Sequence, residues 1–321
     1  MKRRDAKRGD AATLDAPGAS RRKFLRTAAT GLGALAGAPG AARAFDIETL
    51  LQKNFRELSE EELAEVTARL ERRYTKKYGK PFTVSATGPV DGVLFGYGLD
   101  VSRCIGCRRC VYACVDENNQ SRDPQIHWIR VLEFEREATV SGLELEEGNP
   151  YYDHEQVPAE DHWYLPIACQ QCEDSPCTNV CPTGATWMEP DGIVAIDYDW
   201  CIGCRYCMAS CPYGARHFNW GEPQIPDDEV NPNTHLIGNR PRPRGVVEKC
   251  TFCIHRVREG LYPACREACP VGARIFGNML DPESEIRQMM ARKRTFVLKA
   301  ELRTKPKFFY FYGSGERPWK S

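Results

Sequence analysis

Sixteen cysteines, all gathered into four groups, constrain this chain more than any other feature. Cys104, Cys107, Cys110 and Cys114 have the spacing C-x2-C-x2-C-x3-C. Cys169, Cys172, Cys177 and Cys181 follow C-x2-C-x4-C-x3-C-Pro. Cys201, Cys204, Cys207 and Cys211 follow C-x2-C-x2-C-x3-C-Pro, and Cys250, Cys253, Cys265 and Cys269 follow C-x2-C-x11-C-x3-C-Pro. No cysteine is left over, so none is free to serve as a catalytic thiol.

Three thiols at such tight spacing wrap a short loop around three irons of a cubane, and a fourth iron needs a thiolate from elsewhere. In two-cluster ferredoxins the last cysteine of each run serves the other cluster, and a proline follows it. The second and third groups stand close enough in sequence to form such a pair. Cys169, Cys172 and Cys177 then join Cys211, while Cys201, Cys204 and Cys207 join Cys181. By elimination the first and fourth groups pair: Cys104, Cys107 and Cys110 with Cys269, and Cys250, Cys253 and Cys265 with Cys114. Four [4Fe–4S] clusters follow. Four zinc sites would use the same number of thiolates, but zinc sites show paired C-x2-C knuckles, not three cysteines in one run. Eight disulfides would crowd the sulfurs of C-x2-C-x2-C too closely for unstrained bridges.

The fold implied is α+β: two ferredoxin-like dicluster halves, the second inserted in the first, preceded by a helical arm. The body spans residues 93–278, with its first half at about 93–168 plus 245–278 and the inserted half at about 169–220. Internal repeats back this division. Asp100-Val-Ser-Arg-Cys104-Ile-Gly-Cys107 matches Asp197-Tyr-Asp-Trp-Cys201-Ile-Gly-Cys204, and Cys-Pro-x-Gly-Ala occurs at Cys181, Cys211 and Cys269. Residues 185–196, with Pro190-Asp191-Gly192 at the centre, read as a β-hairpin. Residues 45–92 form the arm and a linker. Leu63, Val66, Leu70 and Tyr74 recur at helical spacing, Ser59 and Glu62 make a capping box, and Gly79 and Pro81 end the helix. The segments 115–168 and 212–249 are long enough to be functional or interface-forming. In the C-terminal tail, 279–321, the aromatic run Phe308 to Tyr312 reads as a packed strand.

Residues 1–44 read as an export signal. Ser20-Arg-Arg-Lys-Phe-Leu25 precedes a weakly apolar stretch, and Ala42-Arg43-Ala44 offers a cleavage point. The paired arginines resemble the twin-arginine signal. That route carries folded proteins, so clusters inserted in the reducing cytoplasm can reach an oxidising compartment intact. The leader carries a net charge of +7 and the remainder −7. An acidic body argues against nucleic acid. No apolar run approaches the ~20 residues of a membrane span, so no span of its own is expected.

Other residues carry weaker signals. His127, His154, His162, His217, His235 and His255 show no ligand spacing to one another. Arg108, Arg109 and Arg205 lie inside cluster loops, where a positive charge can raise a potential. Trp187 and Trp200 flank cluster loops and are read as core packing. Gly96 and Gly98 lack the rest of a dinucleotide fingerprint.

Four such groups behind a twin-arginine leader resemble the four-cluster ferredoxin-like subunit of bacterial respiratory complexes. Its members serve dimethyl-sulfoxide, polysulfide and tetrathionate reductases, periplasmic nitrite reduction, some nickel–iron hydrogenases and sulfite-reductase-associated membrane complexes. The resemblance covers residues 95–278 and includes Glu248-Lys-Cys250-Thr-Phe-Cys253. It implies the same crossed ligation, and no [3Fe–4S] cluster, because all sixteen positions are cysteine. It also implies a non-catalytic electron-transfer role between an integral-membrane quinone-interacting subunit and a catalytic subunit. That subunit would be a molybdopterin oxidoreductase, or else a cytochrome or nickel–iron hydrogenase. The complex would sit on the periplasmic side of the cytoplasmic membrane. The expectation from another class is a zinc-binding scaffold.

Overall fold

The computed structural model describes residues 58–135 and 144–313. The export signal, the start of the arm, residues 136–143 and the last eight residues lie outside the described residues.

Helix α1, Glu60–Tyr78, starts where its sequence dictates. The Glu62 amide donates to Ser59 Oγ at 3.3 Å and the Ser59 amide donates to Glu62 Oε2 at 3.0 Å, so two otherwise orphaned donors are satisfied. Three glutamates in the first turn and Lys76 and Lys77 in the last complement the helix dipole. The helix buries Leu70, Tyr74 and Tyr78 against Phe82, Val84, Ile225 and Val230. Tyr74 Oη donates to the Pro241 carbonyl at 3.1 Å, which ties α1 to the second long segment.

The largest sheet has four strands in the order β10 (Arg274–Asn278), β2 (Phe95–Asp100), β12 (Phe308–Phe311), β11 (Thr295–Phe296). Strand β10 runs antiparallel to β2, and β12 runs parallel to it. Segments far apart in sequence thus meet side by side, with Arg274 opposite Leu99. Tyr97 stacks on Phe308 with ring centroids 4.7 Å apart. Part of the C-terminal tail thus belongs to the sheet, as the aromatic run at 308–312 leads one to expect. That run fills the second edge of β2, because unpaired backbone groups of a buried strand need partners. The described residues belong to one compact unit that starts at Leu58.

The described residues also form four two-stranded pairs. Strand β1 (Thr83–Ser85) pairs with β8 (Asn233–His235), and β3 (Arg130–Glu135) pairs with β4 (His162–Ile167). The hairpin β5 (Thr186–Met188) and β6 (Val194–Ile196) forms as its sequence predicts, and β7 (His217–Phe218) pairs with β9 (Val247–Glu248). Asp191 at the hairpin turn is fully buried and ion-paired to Arg258 at 2.9 Å. No helix among the described residues is long and apolar enough to cross a membrane.

Candidate iron–sulfur centres

Each cysteine group is a loop that closes on a short helix. Cys110 and Cys114 sit on α2 (Arg109–Glu117), Cys177 on α3 (Pro176–Asn179) and Cys207 on α4 (Tyr206–Ala209). Cys253 starts α5 (Ile254–Val257), and Cys265 lies on α6 (Ala264–Glu267). The repeated Ile-Gly explains itself here. Gly106 and Gly203 have φ of +74° and +69°, a region that side chains disfavour. A Cβ on Gly203 would stand 2.1 Å from the Gly245 carbonyl oxygen.

The loops bring the thiols together in four sets. Cys104, Cys107, Cys110 and Cys269 line one cavity. Cys181, Cys201, Cys204 and Cys207 line another. Cys114 lies among Cys250, Cys253 and Cys265, whose proximity adds to the rise that burial imposes on its pKa. Cys172 lies among Cys169, Cys177 and Cys211, and burial with those neighbours pushes its thiol up to about 12. Every set thus takes three cysteines from one group and one from a distant group.

The chemistry of these donors fits iron–sulfur cubanes. All sixteen are free thiols. Burial also pushes Cys104 and Cys250 up to about 12, so unligated thiols there stay protonated at neutral pH; a bound metal deprotonates its thiol ligands outright. Among the described residues, no three His, Cys, Asp or Glu side chains converge on a single ion. The thiols are grouped yet form no disulfide, and four sets of four match the thiolates that four cubanes require.

Polar groups reach the sulfurs from both long segments and from the sheet. Gln120 Nε2 donates to Cys114 Sγ at 3.2 Å, and Asn118 Nδ2 donates to Cys253 Sγ at 3.5 Å. The amides of Ala273 and Phe252 donate to Cys269 and Cys250 at 3.3 and 3.4 Å. Arg242 fixes the first segment, donating to the carbonyls of Asn118 and Asn119 at 2.6 and 2.7 Å. Residues at the start of the first segment therefore reach the second set, and Arg242 of the second segment holds them in place.

The arginines that the sequence singled out point elsewhere. Arg108 lies over the Tyr152 ring at 4.3 Å, and Arg205 lies over Trp220 at 4.5 Å and Phe218 at 5.2 Å. Arg109 is exposed. The guanidiniums that do touch sulfur are Arg274, 3.2 Å from Cys110, and Arg216, 3.0 Å from Cys177. Each follows Cys-Pro-x-Gly-Ala directly, so extending that repeat by one residue finds both. Trp200 is half exposed rather than core, because the Asp197 carboxylate caps a turn that turns its ring outward. Trp187 is partly buried and bonded to Glu189. Three histidines have local partners: His255 Nε2 bonds Glu117 at 2.7 Å, His154 bonds Tyr112 at 2.7 Å, and His235 Nε2 lies 3.0 Å from the Thr87 carbonyl. His217 Nε2 and His255 Nδ1 are buried without a partner among the described residues.

Two overlapping stretches match families described as 4Fe-4S dicluster domains, one over residues 103–185 and one over 160–226 with 237–279. An iron–sulfur subunit of an Hdr-like menaquinol oxidoreductase from Archaeoglobus fulgidus is 40% identical, over 68% of this chain and 83% of the relative. The iron–sulfur cluster-binding subunit of a menaquinone reductase from Nitratidesulfovibrio vulgaris is 38% identical, over 71% of this chain and 91% of the relative. The protein belongs to the four-cluster iron–sulfur subunits of respiratory oxidoreductase complexes. The B subunit of the anaerobic dimethyl sulfoxide reductase of Escherichia coli, at 37% identity over 60% of this chain and 76% of the relative, is of the same type. The protein holds four [4Fe–4S] clusters, which supply one-electron chemistry when bound, and its function is electron transfer.

Proposed function

We propose that the four thiol sets are the four cluster sites and that they form one line. The observation that carries this reading is the crossed composition of the sets, each completed by a cysteine from a partner group. Cys110 of the first set neighbours Cys265 of the second. Cys250 of the second neighbours Cys169 of the third. Cys177 of the third neighbours Cys207 of the fourth. The end sets contain Cys204, which is exposed, and several partly exposed thiols, while the second set is wholly buried. Electrons enter at one end and leave at the other, and the buried middle keeps water from the inner clusters.

On this reading residues 169–220 are a second dicluster half inserted between the parts of the first. The β2–β10 pairing, which closes the first half across the insertion, supports it. The partners at the two ends are an integral-membrane quinone-interacting subunit and a catalytic subunit with molybdopterin. The names of the menaquinone and dimethyl sulfoxide reductase relatives support this pair. Ser20 to Leu25 supports twin-arginine export, and hence a peripheral place on the periplasmic face.

The test is anaerobic purification of the full chain with the products of its neighbouring genes. Iron, sulfide and zinc are counted, with low-temperature EPR of the reduced sample. About sixteen irons with interacting [4Fe–4S] signals are expected, as four thiolate-ligated cubanes require. Zinc in place of iron would sink the electron-transfer reading. Co-purification of a cytochrome or hydrogenase subunit, without molybdenum, would replace the partner assignment.

A further inference from the structure

We propose that Arg274 and Arg216 set the cluster potentials, one arginine at the junction of two clusters in each half. The proposal deepens the reading above and rests on its thiol sets.

Arg274 is buried on β10. Its Nη2 donates to Cys110 Sγ at 3.2 Å, and its Nη1 donates to the Tyr97 hydroxyl at 3.3 Å. That hydroxyl lies 3.2 Å from Cys265 Sγ. One cation therefore touches the first set directly and the second set through a single hydroxyl. Arg216, equally buried, stands between the two sets of the other half: it bonds a thiol of the third and lines the cavity of the fourth, without a bridging hydroxyl between them. Its Nη2 donates to Cys177 Sγ at 3.0 Å, and its Nη1 donates to Thr186 Oγ1 at 3.0 Å.

The other buried arginines have carboxylates. Arg242 pairs with Glu248 at 2.8 Å, and Arg258 pairs with Asp191 at 2.9 Å and Glu189 at 3.2 Å. Among the described residues, no carboxylate lies within ion-pair distance of Arg274 or Arg216, and cysteine sulfurs occupy that place instead. A buried unpaired charge is strongly unfavourable. The negative charge of the ligated clusters offsets it. Reduction adds one electron to a cluster, and the adjacent cation stabilises that added charge, so the potential rises. A guanidinium keeps its proton at any working pH, so these residues neither release nor accept a proton as the electron passes.

The test is an EPR-monitored redox titration of the full chain, purified anaerobically with its clusters, for Arg274→Gln, Arg274→Lys and Arg216→Gln. With iron content unchanged, each Gln variant is expected to lower the reduced-to-oxidised ratio at fixed ambient potential. The fall should be at least tenfold for the clusters of its own half, or about 59 mV for one electron, with the other half unmoved. The Lys variant is expected to restore most of the ratio. Unchanged ratios at full iron content would overturn the proposal. So would an equal shift of all four signals, which reports loosened packing. Should Arg274→Gln lose iron, Arg274→Lys decides. Retained iron with near-native potentials supports the charge role, and lost iron overturns it. The iron count of the unmutated protein tests the cluster assignment separately, so failure of that reading is distinguishable from failure of this one.

Discussion

Arg216 donates a hydrogen bond to Thr186 at 3.0 Å, and the two residues hold the same place in two copies of one repeat. Both follow Cys-Pro-x-Gly-Ala. One copy supplies a cation and the other the hydroxyl that steadies it. Thr186→Val keeps the shape but removes the acceptor from a guanidinium whose Nε is already without a partner. Stability should fall by ~1–3 kcal/mol, the penalty for a buried donor left unpaired. Loss of cluster absorbance in a denaturant titration measures it, and an unchanged midpoint would show that Thr186 carries no such load.

Crossed ligation makes a prediction that no uncrossed scheme shares. Cys181→Ser and Cys201→Ser should abolish the same EPR signal, although the residues belong to different sequence groups. Cys211→Ser should abolish the signal lost in Cys172→Ser. Signals lost by sequence group instead would return each group of four to a single cluster.

Gln120 ties Cys114 of the second set to the backbone at Trp128. Its Nε2 donates to both Sγ and the carbonyl of Cys114, at 3.2 and 2.7 Å, and its Oε1 accepts from the Trp128 amide at 2.9 Å. Gln120→Leu should lower the potential of one cluster by removing a donor to a thiolate. It should also cost ~1–3 kcal/mol for the Trp128 amide left buried and unpaired. A redox titration beside a denaturation curve separates the two effects.

Asp191 and Arg258 form a buried pair that joins the β5–β6 hairpin to the helix after Cys253. Asp191→Ala leaves the guanidinium with Glu189 and the Thr87 carbonyl. The expected cost is ~3–5 kcal/mol, as for other buried pairs broken from one side. A thermal transition within a few degrees of the native one would argue that Glu189 suffices.

His235 gives stability a pH dependence. Burial lowers its imidazole pKa to about 4, so the folded protein favours the neutral ring. The unfolded chain takes up the proton near pH ~6.5. The contribution is therefore full above about pH 6.5 and is lost as pH falls toward 4. His217 is shifted the same way, by burial first and then by Arg130. Unfolding midpoints should fall less steeply on mild acidification in His235→Gln than in the native protein. Equal slopes would exclude His235 as a contributor.

The sequence alone determined the number and kind of cofactors, because the loop that chelates three irons is built from a short run of consecutive residues. It also determined the capping box of α1 and the 185–196 hairpin. All of these are set by neighbours along the chain. It drew attention to Arg108, Arg109 and Arg205 only because they are adjacent to cysteines, and adjacency did not aim them at sulfur. Tertiary structure alone decided which cations touch the thiols and that β12 fills the edge of β2. Arg274 reaches Cys110 across 164 positions of sequence, and only the pairing of β10 with β2 brings them together. Contacts of that range depend on strand register and burial, and no local spacing encodes either.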